Sequence, residues 1–190
     1  MKVLITTVPF ADKNRLPLDL LEQNNIEYLI NPLNKKLTDG ELAEMVTDFD
    51  VIIAGTESIT KKVMYSAANL KMISRVGIGL DSVDLLEAEK LGIAVSYTPD
   101  APAPAVAELT IGFMLTLLRS VQLSNMEMHN GKWHRFFGRR LSEVTIGIIG
   151  VGRIGKLVLQ HLQGFSSLKI LVNDTAPNVE LNKKFNIKWV

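Results

Sequence analysis

The chain has no cysteine among its 190 residues, which excludes a disulfide framework, a thiolate nucleophile and any thiolate-held metal. An excess of one charge is lacking too. Twenty-one basic and 20 acidic side chains leave a net charge of +1, so no global field favours nucleic acid or an acidic membrane. Aromatic residues are scarce at 6%. The single basic-aromatic cluster, His134 to Arg140, therefore reads as a solvated connector with Phe136 and Phe137 tucked into the core. No secretory leader is expected: Met1 and Lys2 run into Val3-Leu4-Ile5-Thr6-Thr7, which reads as a buried strand. A cytoplasmic protein is expected. Long apolar runs are also missing. The stretch LTIGFMLTLL at 109–118 extends towards membrane length only by taking in Glu108 and Arg119. Such charges are costly in a span of about 20 residues, so a buried or subunit-facing helix is expected and no membrane partner. The remaining balance, 47% hydrophobic and 22% charged, is that of an ordinary globular chain.

What is present is most informative at residues 144–155. An apolar, β-branched run, Val144 to Ile149, ends in Gly150-Val151-Gly152-Arg153-Ile154-Gly155, and a helical pattern follows at once. Gly150 permits a tight turn out of a strand, and Gly152 leaves room for a pyrophosphate against the backbone. Gly155 lets helix and strand pack closely, while the bare N–H groups at the helix start hold phosphate charge. A second apolar run, 169–173, ends on Asp174, which follows Gly155 by 174 − 155 = 19 residues. That matches the spacing of roughly 20 for the acid that accepts hydrogen bonds from an adenosine ribose. A carboxylate there repels a 2′-phosphate, and the Thr175-Ala176-Pro177-Asn178 that follows offers no Arg to neutralise one. NAD is the expected cofactor, not NADP. No metal site is expected.

The first hundred residues alternate short apolar runs with helical patterns. The runs predict strands at 2–6, 27–30, 51–54, 71–74 and 93–96, and helices at 14–23, 41–46, 61–68 and 83–90. Thr38 with Glu41 has capping-box spacing. Thr60 and the pair Asp81-Ser82 precede the third and fourth helices, and Gly92 sits where a C-terminal cap belongs. Such alternation implies a parallel sheet with right-handed crossovers. The proline-rich 98–104 predicts a stiff connector and a domain boundary, with a long helix of about 105–128 after it. A doubly wound nucleotide layer has roughly six strands. Here strands one and two and the start of a third, Ile187 to Val190, are visible. The chain is therefore expected to be the first part of a longer protein, with the 144–149 strand left as a naked edge.

These features together resemble the NAD-dependent D-2-hydroxyacid dehydrogenases, in particular the D-3-phosphoglycerate dehydrogenase branch. The resemblance rests on Gly55-Thr56-Glu57-Ser58-Ile59-Thr60, on Ser74 to Asp84, and on Thr98-Pro99. It continues through Ala105 to Thr110, Gly131-Lys132-Trp133 and the glycine motif with Asp174. It implies an α/β chain in which a flavodoxin-like parallel-sheet substrate domain, 1–98, precedes the incomplete Rossmann NAD-binding domain at 99–190. It further implies oxidation of a small 2-hydroxy acid with NAD as acceptor. Val76, Gly77, Ile78 and Gly79 would hold the substrate carboxylate by backbone N–H groups, with Ile78 also beside the cofactor. Arg153 and Ile154 would lie on the pyrophosphate. A homodimer built by the 105–128 helix region is implied as well. Tyr97 stands where the family usually has Asn, and Ile78 where some members have a hydroxyl residue. The family's Arg, His and paired carboxylate fall beyond residue 190. His129, His134 and His161 have no acidic partner at short spacing, so no catalytic residue is expected in this chain and the chain alone is expected to be inactive. The competing readings are a non-catalytic NAD-binding module and an inactive truncated product.

Overall fold

A computed structural model describes residues 1–190, which form two compact units, Met1–Ala101 and Pro102–Val190. The first unit runs β1 (Lys2–Ile5), α1 (Leu16–Gln23), β2 (Glu27–Ile30), α2 (Asp39–Met45), β3 (Val51–Ala54), α3 (Lys61–Ser66), β4 (Met72–Arg75), α4 (Leu85–Lys90) and β5 (Ala94–Tyr97). Its strands are all parallel in the order β2-β1-β3-β4-β5, which is the flavodoxin-like order. Side chains alternate across this sheet. Leu4, Ile52, Ala54 and Ile73 face one cluster with Leu42, Val46 and Val63. Val3 and Ile5 face the other way, towards Leu18 of α1. Strands covered on both faces read as continuous apolar runs, and this makes them visible in the sequence.

Local chemistry fixes the helix ends. At α2 the capping box forms: Glu41 N–H donates to Thr38 Oγ1 at 3.3 Å, and Thr38 N–H donates to Glu41 Oε2 at 2.9 Å. Lys35 Nζ also pairs with Glu41. The Lys35 ammonium first, then the Thr38 N–H and hydroxyl, lower the Glu41 carboxyl from 4.5 to about 2. A lowered folded-state value means the stabilisation is present above about pH 4.5 and is lost as pH falls towards about 2. The stability gap between the natural chain and Glu41→Gln is accordingly expected to narrow on acidification through that window, as followed by urea unfolding at a series of pH values.

Two expected caps are corrected. Thr60 makes no cap bond to α3 and instead donates its hydroxyl to Asp39. Asp81-Ser82 does not start α4. Ile59 N–H donates to Ser82 O at 2.7 Å and Asp84 N–H to Ile59 O at 3.1 Å, so this stretch is engaged in a bridge. The helix begins only after Asp84, whose Oδ1 accepts Glu87 N–H at 3.1 Å. At the other end Ile93 N–H returns to Ala88 O and Gly92 N–H to Glu89 O, the paired closure of a Schellman motif.

The second unit contains α5 (Ala103–Leu118), α6 (Val121–His129), a 3-10 turn (Leu141–Glu143), β6 (Thr145–Ile149), α7 (Arg153–Leu162), β7 (Lys169–Asn173), α8 (Leu181–Lys184) and β8 (Lys188–Trp189). The strands are parallel in the order β6-β7-β8, with β6 at an edge. Ile146 and Ile148 pack with Ala107 of α5, Val158, Leu159 and Leu162 of α7, and Val172 of β7. Pro104 lies in the first turn of α5, where its missing N–H has no intrahelical partner to lose. The single helix expected over 105–128 is two helices bent by 65°. Ser120 takes a left-handed φ of 52°, and the Leu118 carbonyl accepts Arg139 N–H at 3.0 Å. An acceptor from the helix end is thereby satisfied by a distant segment, and the chain turns. No single helix is long and apolar enough to cross a membrane. The face of α5 carrying Leu109, Phe113 and Leu117 is exposed, Leu117 by 81%.

The pair Phe136-Phe137 also departs from expectation. Phe136 is half-buried, with the His134 ring edge-on at 4.4 Å, while Phe137 is 99% exposed.

Candidate functional site

The turn after β6 is built by its backbone. Gly150 has φ 88°, a left-handed conformation that costs a side-chain-bearing residue about 1–2 kcal/mol. Its N–H donates to Asn173 O at 2.8 Å, fastening the turn to the end of β7. An added Cβ on Gly155 would overlap the Gly150 carbonyl oxygen and lie 3.1 Å from its carbon. Gly155 is thus required by helix-to-turn packing. Gly152 is different: a Cβ there meets no protein atom within 4 Å. Packing gives no reason for glycine at 152, whereas close approach of a ligand to the backbone does.

No side chain caps the start of α7. Its first-turn N–H groups and the positive end of its dipole therefore suit an anion. Arg153 and Ile154 occupy that first turn. Asp174 stands at the end of β7 beside the same turn. Its Oδ2 accepts Val151 N–H at 2.7 Å and its Oδ1 accepts Ala176 N–H at 3.0 Å. The Ala176 N–H first, then the Val151 N–H, hold its carboxyl below the usual carboxylate range. The Thr175 hydroxyl also donates to Oδ1 at 3.5 Å; the carboxylate is fixed and ionised, and the lone pairs that these three donors leave can accept from a diol.

In the first unit, the loop Val76 to Gly79 follows β4 at the carboxyl edge of the sheet. Its four N–H groups divide into two pairs. Val76 N–H donates to Ala54 O at 2.8 Å, and Gly77 N–H donates to Thr98 Oγ1 at 2.9 Å. These two bind the loop to β3 and to the end of β5. The N–H groups of Ile78 and Gly79 have no acceptor in the chain, and they alone remain for a carboxylate. Val76 and Ile78 expose their side chains on either side.

Sequence reading assigned no role to Glu57, yet it is 2% exposed. Its Oε2 accepts Gly55 N–H at 2.8 Å and the Thr6 hydroxyl at 3.1 Å. The carboxylate joins the chain just past β1 to the turn leaving β3. The available signal was a charged residue two positions beyond a glycine at the end of a buried strand.

The three histidines stay apart from this chemistry. His129 closes α6, His134 meets the Phe136 ring edge-on, and His161 sits in α7 with a buried Nε2 that has no partner. None hydrogen-bonds to a carboxylate.

A parallel strand, a glycine turn, an uncapped helix and a carboxylate ending the next strand define the βαβ unit of dinucleotide-binding folds. The chain belongs to the D-isomer specific 2-hydroxyacid dehydrogenase family, whose catalytic-domain model matches residues 6–182. It is 34% identical over 172 residues to the hydroxypyruvate reductase of Thermotoga maritima, covering 86% of this chain and 56% of that protein. It is 40% identical over 133 residues to the D-3-phosphoglycerate dehydrogenase of Methanocaldococcus jannaschii, covering 68% and 25% respectively. The NAD-dependent formate dehydrogenase of Staphylococcus aureus, solved in complex with NAD, superposes with a TM-score of 0.79 at 27% identity. That match covers 100% of this chain and 60% of the other. The chain spans 56% and 25% of the length of the two curated relatives.

Proposed function

We propose that these residues belong to an NAD-dependent dehydrogenase of a small D-2-hydroxy acid, with 3-phosphoglycerate as the first substrate to try. The carrying observation is the open space at Gly152 between an uncapped helix and an ionised Asp174. When bound, NAD supplies a hydride acceptor for the C2 hydrogen of the hydroxy acid. The chain's own residues bind and orient. Gly150, Gly152, Arg153, Ile154 and Gly155 receive the pyrophosphate, and Asp174 receives the ribose diol. Ile78 and Gly79 offer two N–H groups to the substrate carboxylate, on a loop that Val76 and Gly77 hold in place. The choice of 3-phosphoglycerate leans on the likeness to the archaeal enzyme.

No histidine among residues 1–190 is hydrogen-bonded to a carboxylate, so none is oriented to accept the proton of the substrate hydroxyl. These residues by themselves are therefore proposed to bind without turnover. The exposed apolar strip of α5, with Val121, Leu123, Met126 and Met128 of α6, is proposed as the face of a homodimer. Incubating the protein as its own cells make it with NAD and D-3-phosphoglycerate, D-glycerate or D-lactate tests the reading. Appearance of reduced nicotinamide with one of the three is expected. Turnover by the 190-residue chain itself would refute the assignment of its residues to binding alone.

A further inference from the structure

A cavity lies at the other end of α7 from the glycine turn, about 15 Å away along a ten-residue helix. Its volume is about 260 Å3, and Arg119, Arg139, Arg140, Ser142, Phe165 and Ser166 line it. The charge balance there is unusual for a chain with a net charge of +1. Arg140 is held by Glu143, with Nε donating at 2.8 Å. Arg119 and Arg139 form no ion pair. Three guanidinium groups bring three positive charges and Glu143 returns one. The C-termini of α5 and α7 return about half a charge each. Roughly one positive charge is left over, beside two serine hydroxyls able to donate.

The Leu118 carbonyl does not require the arginine side chains, because Arg139 N–H already donates to it, and the half charge of the α5 end is included in the balance above. The cavity also stands clear of the exposed apolar strip. Leu115 and Arg119 line it at i and i+4, whereas Phe113 and Leu117 lie on another face of the helix. Leu115 and Phe165 add apolar wall.

We propose that this cavity is a binding site for a small phosphate ester bearing a flat apolar group. The unpaired Arg119 and Arg139 face the phosphoryl oxygens, Ser142 and Ser166 donate to them, and Phe165 with Leu115 covers the apolar part. Arginine suits this task because its planar fork matches phosphate geometry.

Phenyl phosphate is the probe, titrated into the isotope-labelled 190-residue chain while backbone amide resonances are followed, with inorganic phosphate as the comparison. Amides of 139–142 and 165–166 are expected to shift, with phenyl phosphate binding about fivefold tighter than phosphate, the gain from covering about 40 Å2 of apolar surface. The double variant R119A/R139A should weaken binding at least about tenfold, the loss of two charge-assisted contacts. Ser166→Glu, at an exposed position, should do likewise by placing a carboxylate in the cavity. Shifts confined to 150–155 would mean that the helix start at the glycine turn is the anion site, and would overturn the proposal. Binding indifferent to both variants, equal affinity for the two probes, or no shift at about 10 mM, a threshold weaker than millimolar, would overturn it equally.

Discussion

Replacing Gly155 by Ala is expected to lower NAD affinity about 100-fold, the loss of roughly two charge-assisted hydrogen bonds to the pyrophosphate, and to destabilise the chain by about 1–3 kcal/mol. The new methyl group falls on the Gly150 carbonyl oxygen, and the nearest neighbour beyond it is backbone as well. Backbone cannot swing aside as a side chain would, so α7 must retreat from the turn. The turn cannot follow, because Gly150 N–H is tied to Asn173 O and Val151 N–H to Asp174. The helix N–H groups then no longer converge on the place where a pyrophosphate sits. Gly152→Ala supplies the contrast. Its methyl group meets no protein atom, so stability should change by no more than about 1 kcal/mol, yet the approach of the pyrophosphate is blocked. Thermal unfolding beside NAD titration separates the two cases. Equal loss of stability in both variants would indicate that the glycines serve packing alone.

The second large effect is expected at Glu57. Glu57→Ala should cost about 3 kcal/mol, because a buried charge-assisted hydrogen bond goes and Gly55 N–H is left without an acceptor. Thr6 suffers less, since its hydroxyl also reaches Ile53 O at 3.3 Å. Glu57→Gln keeps an amide oxygen and should lose about 1 kcal/mol. The consequence travels through named bonds. Glu57 fixes Gly55, the preceding Ala54 accepts Val76 N–H, and Val76 opens the loop that presents Ile78 and Gly79. Amide exchange at Val76 should therefore quicken in Glu57→Ala. Unchanged exchange there, with normal urea stability, would mean that Glu57 does not support the loop.

The sheet of the first unit was legible because its central strands are covered on both faces and its edge strands still carry short apolar runs. Glu27–Ile30 and Val51–Ala54 stand where their apolar runs lie, and Met72–Arg75 and Ala94–Tyr97 are displaced by one residue. The β6-turn-α7-β7 unit was legible for another reason: Gly150 and Gly155 answer backbone demands that few other residues meet, and Gly152 completes their spacing. What escaped was decided by distant partners. The break at Ser120 depends on Arg139 N–H, 21 residues past Leu118, and the late start of α4 on Ile59. Neither leaves a local mark in composition. At the candidate site, the glycines and Asp174 could be read from spacing. The division of the Val76 to Gly79 loop into two engaged and two open N–H groups could not, because it depends on Thr98 and Ala54 coming alongside.

Calorimetric titration of the 190-residue chain with NAD and, separately, NADP tests the central claim most directly. One NAD per chain is expected, with NADP at least about tenfold weaker, a difference of about 1.4 kcal/mol, because a 2′-phosphate would meet the ionised Asp174 carboxylate. Absence of NAD binding, or equal affinity for the two, would contradict the account of Gly152 and Asp174 given above.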